Sequence, residues 1–291
     1  MAGLVRGLAR GRVFGVSYNR GMLNRTEMDS PRALRVAFLG SGSSGNATAV
    51  SDGTTTVLID CGFSAREVAR RLLAHGIAAE SVSAILVTHE HTDHVSGVDV
   101  FARRFGCTVW ASAGTRRAGR FDPRVADVHT LVPGELVRIG SLEVLAFATS
   151  HDAAEPVGYV VRDAGTRFGL ATDTGVFTEQ AAEALAECDI LGVECNHDVD
   201  MLTTGPYPWF LKQRIASSRG HLSNPDAARA LEAIASDRLR QVHALHLSRT
   251  NNTHALAREG LSNCLSRLGL DAEVKTVTQD GTKAPEAPRL L

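Results

Sequence analysis

The sequence predicts an α/β fold in which two β-sheets pack face to face and helices cover their outer sides. Short β-branched runs alternate with helical segments through both halves of the chain, and Gly, Pro or Asp residues separate them. No linker-like stretch interrupts this pattern between Leu34 and Gln279. We therefore expect one domain over 34–279, a poorly ordered extension over 1–33 and a frayed tail over 280–291.

The first half of the chain supplies strands that end in turns or on polar residues. Leu34–Leu39 is apolar, and the Gly-rich turn at 40–45 after it either offers backbone N–H groups to a phosphate or is a plain turn. Ser64 is placed to cap a helix with Val68, Leu72 and Leu73 on its apolar face. The other predicted elements are strands over Thr55–Ile59, Ser83–Thr88 and Cys107–Ala111 and a helix over Val95–Phe105.

The middle of the chain is rich in short strands, and helices return towards its end. Asn224 and Pro225 open a helix, because proline is favoured in the first helical turn. His254–Leu268 has the pattern of an amphipathic helix. The strands of both halves look antiparallel. Predicted strands cover Val125–Val132, Leu136–Ile139, Leu142–Ala148, Val157–Arg162, Thr166–Ala171, Ile190–Glu194, Gln241–Leu247 and Glu273–Val277, and predicted helices cover Thr178–Ala186, Pro206–Arg214 and Asp226–Ser236.

Charge and cysteine content exclude several classes of protein. The formal net charge of −1 excludes a basic field over the whole protein, although the arginine-dense segments 103–124 and 212–219 leave room for a local basic patch. Five scattered cysteines without a CxxC pair argue against a disulfide framework or a zinc ribbon and fit a reducing compartment such as the cytoplasm. No apolar run approaches the roughly 18 residues that a membrane helix requires.

Residues 1–33 differ in texture from the rest of the chain. They are rich in arginine, contain no acidic residue before Glu27, and lack the compact apolar core of a secretory signal. An amphipathic organelle presequence is one interpretation of this stretch. An overlong start with Met28 as the true initiator is the other, and the absence of a strong period favours it.

The strongest functional signal is the run Thr88-His-Glu-His-Thr-Asp-His94, which directly follows a predicted strand. Its three imidazoles, on His89, His91 and His94, and the carboxylate of Asp93 form a donor set that zinc or manganese prefers. A loop at a strand end can turn all four side chains towards one point. A surface histidine cluster is the competing interpretation, and the apolar strand before the run argues against it.

This run resembles the signature of the metallo-β-lactamase superfamily of metal-dependent hydrolases, whose fold is a four-layer αββα sandwich. The rest of the superfamily pattern is also present in order at predicted strand ends: Asp60 precedes the run, and His151, Asp173 and His246 follow it. The resemblance implies two divalent ions, zinc or manganese with iron also admitted, and an orienting role for Asp60 beside an imidazole. In the implied ligand set, His89, His91 and His151 hold one ion, Asp93, His94 and His246 hold the other, and Asp173 bridges them.

The superfamily also implies that the two ions share a hydroxide, which attacks the substrate. On this resemblance, Asp93 and Asp173 are catalytic residues as well as metal ligands. His221, in the stretch Gly220-His-Leu-Ser-Asn224, is similar to a histidine of RNase Z-type phosphodiesterases. It would protonate the leaving oxygen or stabilise the phosphate, unless it only bonds backbone at a helix entry. His197 and Asp198 either position substrate or complete a turn after a strand.

Several stretches narrow the resemblance to the YycJ/WalJ branch, although Cys195 stands where serine is more typical. That branch implies a DNA exonuclease acting 5′ to 3′, with no membrane and no organic cofactor. A thioesterase, lactonase or cyclic phosphodiesterase is the alternative, and a non-catalytic metal-binding scaffold is a further one. The lack of a long insertion between Asp173 and His221 disfavours tRNA processing. The stretches that carry this resemblance are 41–46, 150–153, 194–198, 220–224 and 247–252.

Overall fold

The computed structural model describes residues 34–119, 121–122, 124 and 127–282. The predicted extension over 1–33 lies outside these residues, and so do residues 283–291 of the predicted tail. Residues 280–282 are described and lie against the first strand. There the backbone N–H of Thr282 donates to the carbonyl oxygen of Phe38 over 2.9 Å.

The strands of the described chain form two sheets whose spatial order follows the sequence. The first sheet has the order β1-β2-β3-β4-β5-β6, and the second has the order β13-β12-β11-β10-β9-β8-β7. In the first sheet the strands are β1 (Arg35–Gly40), β2 (Ala47–Ser51), β3 (Thr56–Ile59), β4 (Val82–Leu86), β5 (Thr108–Ser112) and β6 (Val128–Leu131). In the second they are β7 (Leu136–Ile139), β8 (Leu142–Ala148), β9 (Val157–Arg162), β10 (Arg167–Ala171), β11 (Ile190–Glu194), β12 (Gln241–Leu245) and β13 (Glu273–Thr276).

Helices cover the outer faces of the sheets, and no helix of the described residues is long and apolar enough to cross a membrane. Ser64 caps the first helix, because its Oγ accepts from the backbone N–H of Glu67. The predicted helix over Val95–Phe105 is interrupted at Gly97, because the backbone N–H of Gly97 donates to the carbonyl oxygen of Cys61 over 2.8 Å and not to a carbonyl of the preceding helical turn. The helices are α1 (Ala65–Ala74), α2 (Thr92–Val95), α3 (Val98–Phe105), α4 (Ala113–Ala118), α5 (Glu179–Leu185), α6 (Val199–Thr204), α7 (Trp209–Ile215), α8 (Asn224–Ile234) and α9 (His254–Leu268).

Strand pairing within each sheet changes from antiparallel to parallel. The pairs from β3 to β6 and from β10 to β13 are parallel, and the remaining pairs are antiparallel. The expectation of antiparallel strands was therefore wrong for about half of the sheet contacts. The physical reason is that helices connect the strands of the parallel pairs. A crossover through a helix brings the next strand back in the same direction as the one before it.

Apolar side chains fill three layers, which confirms the four-layer order of helix, sheet, sheet and helix. Between the sheets, Phe38 packs edge-on against Phe168 with ring centroids 5.9 Å apart. Leu72 and Phe101 bring α1 and α3 against the outer face of the first sheet. The expectation that Leu73 shares this buried face was wrong, because adjacent helical residues point about 100° apart and its side chain is 72% exposed. On the second sheet, α5, α8 and α9 contribute buried residues such as Leu261.

Tyr159 ties the two sheets together beside the predicted metal motif. Its side chain is fully buried on β9, and its hydroxyl group donates to the carbonyl oxygen of Val87 over 2.6 Å. Val87 directly follows β4 and precedes His89 by two residues. The hydrogen bond therefore fixes the position of the start of the histidine run, at the edge of the first sheet, relative to the second sheet.

We expect Tyr159→Phe to lower the free energy of unfolding by about 1–2 kcal/mol, because it leaves a buried carbonyl oxygen without its donor. Urea denaturation followed by far-UV circular dichroism measures the difference. Tyr207→Phe, at a half-buried tyrosine, is the matched control. A loss no larger for Tyr159→Phe than for this control would contradict the assigned role.

Candidate metal centre

The predicted site residues lie where strands end along one edge of the sandwich. Asp60 follows β3, the run 89–94 follows β4, and His151 follows β8. Asp173 and His246 follow β10 and β12 in the second sheet. The ends of both sheets thus contribute side chains to one cluster.

Three of these residues leave their strands through an unusual backbone conformation. Asp60, Asp173 and His246 have φ angles of 60°, 52° and 53°, in the left-handed region that few residues with side chains adopt. Neighbouring segments hold this conformation. The N–H of Asp60 donates to the carbonyl oxygen of Leu86, and the N–H of His246 donates to the hydroxyl oxygen of Ser41, both over 2.9 Å.

One group in the cluster consists of three imidazoles. A nitrogen atom from each of His89, His91 and His151 lies within 4.8 Å of the others, a spacing that suits one shared cation. His151 Nδ1 is 3.0 Å from the carbonyl oxygen of Gly220, so this nitrogen carries the proton and Nε2 is free to bind metal. His89 and His151 are buried, and His91 is the half-buried member.

A second group gathers around the carboxylate of Asp173. Its Oδ2 is 3.3 Å from His94 Nε2, and its Oδ1 is 2.9 Å from His246 Nδ1. The same carboxylate lies 3.9 Å from His151 Nε2 of the first group, so it stands between the two groups. The carboxylate of Asp93 approaches His94 Nε2 to 3.6 Å at the more exposed side.

Asp60 sets the orientation of His94 from beneath the cluster. Its Oδ1 accepts the backbone N–H of Thr88 over 2.8 Å, and its Oδ2 is 2.7 Å from His94 Nδ1. Burial alone would lower the pKa of His94, but the charges of Asp60 and Asp173 raise it well above its ordinary value. The other nitrogen, Nε2, is left facing Asn46 and Asp173.

The donor chemistry of the cluster fits divalent cations. Five imidazoles with two carboxylates are the ligand types that zinc, manganese and iron bind in hydrolases. An independent observation comes from Asp152, whose Oδ1 is buried without a hydrogen-bond partner. This oxygen lies 3.3 Å from His151 Nε2 and 3.8 Å from His91 Nε2. A buried anionic oxygen beside two imidazole nitrogens is the arrangement that a bound cation would stabilise.

His221 joins the cluster through a residue that the sequence analysis did not select. Glu194, fully buried at the end of β11, accepts from His221 Nδ1 over 2.7 Å and from the backbone N–H of Thr174 over 2.8 Å. Burial lowers the pKa of His221, but the charge and hydrogen bond of Glu194 outweigh it and raise the pKa to about 9. The sequence marks Glu194 only by its position at a predicted strand end, which it shares with the other site residues and which does not reveal its partner His221.

A cavity of about 320 Å³ opens above the cluster. His197 and Asp198 are not among its lining residues: His197 is buried, and the Asp198 side chain caps α6 by accepting from the N–H of Met201. Asn196, which the sequence analysis passed over, does line it. Further lining comes from the cluster residues His91, Asp93, His151, Asp173, His221 and His246, and from Tyr207, Leu211, Arg214, Ile215 and Arg219.

The two arginine-dense segments lie in different surroundings. Arg103 and Arg124 share the single carboxylate of Asp122, which offsets one of their two positive charges. In the second segment, Arg214 and Arg219 line the cavity. Arg214 pairs with the second oxygen of Asp152, and the neighbouring Arg219 Nε donates to the carbonyl oxygen of His151 over 3.3 Å.

Comparison with known proteins matches this architecture to one superfamily. Residues 55–244 match the model of the beta-lactamase superfamily domain. The metallo-β-lactamase fold protein YhfI from Bacillus subtilis superimposes with a TM-score of 0.68 at 16% identity, over 86% of this chain and 98% of that one. At this identity, the structural similarity concerns the fold alone.

Similarity to curated relatives narrows the class. The exodeoxyribonuclease WalJ of Streptococcus pneumoniae is 34% identical over 258 residues, which are 85% of this chain and 95% of the relative. The exodeoxyribonuclease YycJ of Bacillus anthracis is 35% identical over 241 residues, 81% of this chain and 90% of the relative. The chain therefore belongs to the metallo-β-lactamase superfamily of metal-dependent hydrolases, in the family that includes WalJ and YycJ.

We expect Asp60→Asn to weaken divalent-metal binding by about 10–100-fold with little change in the fold. Asparagine also tolerates the left-handed backbone, but its amide cannot accept from both Thr88 and His94. Metal retained after dialysis against graded chelator, measured by mass spectrometry, tests this effect. Asp163→Asn is the control. The Asp163 carboxylate likewise accepts two hydrogen bonds, from the backbone N–H groups of Gly165 and Thr166, but it lies in a turn between β9 and β10. Equal metal retention in the two variants would contradict the role of Asp60.

Proposed function

We propose that this protein is a binuclear metal-dependent phosphodiesterase that degrades DNA from the 5′ end. The observation that carries the proposal is that one cavity is lined both by members of the His/Asp cluster and by His221, which the buried Glu194 holds from behind. The rings of His221 and His151 are 5.1 Å apart, so a phosphate placed over the cluster is within reach of His221. The relatedness to two exodeoxyribonucleases over most of the chain supports DNA as the substrate.

The chain offers two ligand groups that share Asp173. When bound, two divalent ions would supply Lewis acidity at the phosphate and activate water near neutral pH. Zinc and manganese suit this mixture of imidazole and carboxylate, and iron is also compatible with it. His89, His91 and His151 would hold one ion, Asp93, His94 and His246 the second, and Asp173 both.

Glu194 prepares His221 to act on the leaving group. The hydrogen bond to Glu194 fixes the proton on Nδ1 and leaves Nε2 as the nitrogen available to the cavity. Because the neighbouring carboxylate favours the protonated imidazole, Nε2 can donate a proton to the departing oxygen. Glu194 itself is held by Thr174, so the pair does not need to reorganise during the reaction.

The cavity wall suits a polymer backbone better than a particular base. Arg214 and Arg219 place guanidinium groups at the rim, where they are positioned to contact phosphates flanking the scissile one. Such contacts follow the backbone and carry no sequence information. We therefore expect cleavage with little sequence preference and binding that weakens steeply as salt increases.

We expect His221→Ala to lower kcat for DNA hydrolysis by about 10²–10⁴-fold while the metal content per chain is retained. The physical reason is that the variant removes the proton donor and none of the proposed metal ligands. Single-turnover hydrolysis of a labelled strand, with metal analysis of the same preparation, measures both quantities. His129→Ala, at an exposed histidine on β6, is the control.

The effects of Glu194→Gln and His221→Ala should not add in the double variant, because Glu194 acts through His221. Full additivity would show that the two residues act independently and would contradict the role of Glu194 through His221. A His221→Ala enzyme as active as the parent would remove His221 from the mechanism.

End-labelled substrates test the proposed function as a whole. We expect the protein, loaded with about two metal ions per chain, to release labelled mononucleotides or short products from 5′-labelled strands. The 3′-labelled strand should instead shorten progressively. Circular DNA, RNA, an acyl thioester and a lactone are incubated in parallel as competing substrates.

The outcomes of this assay separate the alternatives. Internal cuts in circular DNA would identify an endonuclease, and preferred hydrolysis of the thioester or lactone would identify a small-molecule hydrolase. A protein that retains its metal after dialysis and cleaves none of these substrates would be the non-catalytic metal-binding scaffold. Retention of less than about one ion per chain would contradict the binuclear site.

A further inference from the structure

Two neighbouring aromatic side chains at the start of α7 are unusually exposed. Trp209 and Phe210 each keep 71% of their surface in contact with solvent. In the described part of the chain, the other large apolar side chains with such exposure are aliphatic and lie singly on other elements. Keeping two adjacent rings in water is unfavourable, so the pair is a candidate for contact with a partner.

The fold itself does not require these rings. No residue of α7 is fully buried, and polar contacts attach the helix to the rest of the molecule. Lys212 Nζ donates to the carbonyl oxygen of Thr203 over 2.7 Å, and Arg214 pairs with Asp152 over 2.6 Å. The helix is thus held through charges while its two aromatic rings remain free.

The aromatic pair lies beside the proposed catalytic cavity. Tyr207, just before α7, and Leu211, in its first turn, both line the cavity above the metal cluster. Tyr207 also lines a second cavity of about 540 Å³, which shares Ser43 and Ser248 with the first. A nucleic-acid strand bound over the cluster would therefore pass the segment that carries Trp209 and Phe210 where it leaves the cavity.

The chemistry around the pair matches one strand of nucleic acid. Lys212, Arg214 and Arg219 supply positive charge for phosphates on the same segment. Aromatic rings stack on any base, but only an unpaired base or a strand end exposes its face. A stable protein partner would need a wider apolar surface than two rings among charged residues.

We propose that Trp209 and Phe210 form a stacking platform for unpaired DNA bases next to the cleaved strand. This inference rests on the proposed DNA hydrolase function and deepens it. Because the bases of a blunt duplex stay stacked inside the helix, the platform favours ends with a single-stranded overhang. The platform lets the protein bind unpaired strand ends in addition to cleaving the DNA backbone.

Intrinsic fluorescence tests the contact directly, because the chain has two tryptophans and Trp110 stacks on His129 in the first sheet. A thymidine strand with phosphorothioate linkages, which resists cleavage, is titrated into the full-length protein. We expect strong quenching of the parent, and loss of most of that quenching in Trp209→Phe, in which only Trp110 can report. Trp209→Phe should still bind the strand within about threefold of the parent, because phenylalanine also stacks.

Truncation should separate binding from chemistry. We expect Trp209→Ala to raise the dissociation constant for the thymidine strand by about tenfold or more, a factor typical of losing one stacked base. KM for a substrate with an overhang should rise by a similar factor with kcat unchanged, and KM for a blunt duplex should change less than twofold. Leu73→Ala, at an equally exposed residue of α1, should behave as the parent.

Distinct results would overturn this inference and the function on which it rests. A parent that cleaves DNA ends while Trp209→Ala binds and cleaves both substrates normally would overturn the platform alone. A concentration-dependent dimer that the variant Trp209→Ala/Phe210→Ala loses would also overturn it, by assigning the pair to a second copy of the chain. A metal-loaded parent that cleaves no DNA would overturn the proposed function itself.

Discussion

A backbone constraint shared by three residues underlies the whole site. Asp60, Asp173 and His246 each turn out of a strand in the left-handed conformation, at a cost of order 1–3 kcal/mol for each residue. The turn lets each side chain meet groups that follow another strand of the same sheet. Asp60 meets Thr88 after the adjacent β4, and Asp173 meets His246 after β12, two strands away. Only a rigid framework can hold such a conformation at three places. The sandwich provides that framework, because paired strands precede each turn and tertiary hydrogen bonds fix the turned residues.

Local chemistry predicted most elements of this framework, and tertiary contacts decided the remainder. β8, β9 and α9 begin and end where branched residues or caps in the sequence place their boundaries. β2 escaped prediction because alanines separate its two strand-favouring residues, Thr48 and Val50, so it has no apolar or branched run. Burial on both faces of the sheet holds it as a strand. The break at Gly97 comes from a hydrogen bond of its backbone N–H to the distant carbonyl oxygen of Cys61, which no pattern within the helix could reveal.

The same distinction applies to the site. His89, His91 and His94 are predictable because their spacing in one short run is itself the signal. Glu194 is not, because its role depends on His221, which the fold brings back from 27 residues further along the chain. Asp152 is similar: its contact with Arg214 spans 62 residues. Residues whose function lies in a partner can be recognised only after the partner has been placed.

The connection between β11 and β12 shows how the fold separates chemistry from substrate choice. Parallel strands bring their carboxyl ends to one edge, so β3 and β4 of one sheet and β10 and β12 of the other deliver most of the cluster, and His151 joins it after β8. The long connection then forms the outer wall of the cavity and returns His221 to it. This wall is attached largely by polar contacts, whereas the cluster rests on buried strands. Changes at exposed positions of α7, such as Trp209, would therefore alter what enters the site without disturbing the residues that hold the ions, which is how related hydrolases of one fold can act on unrelated substrates.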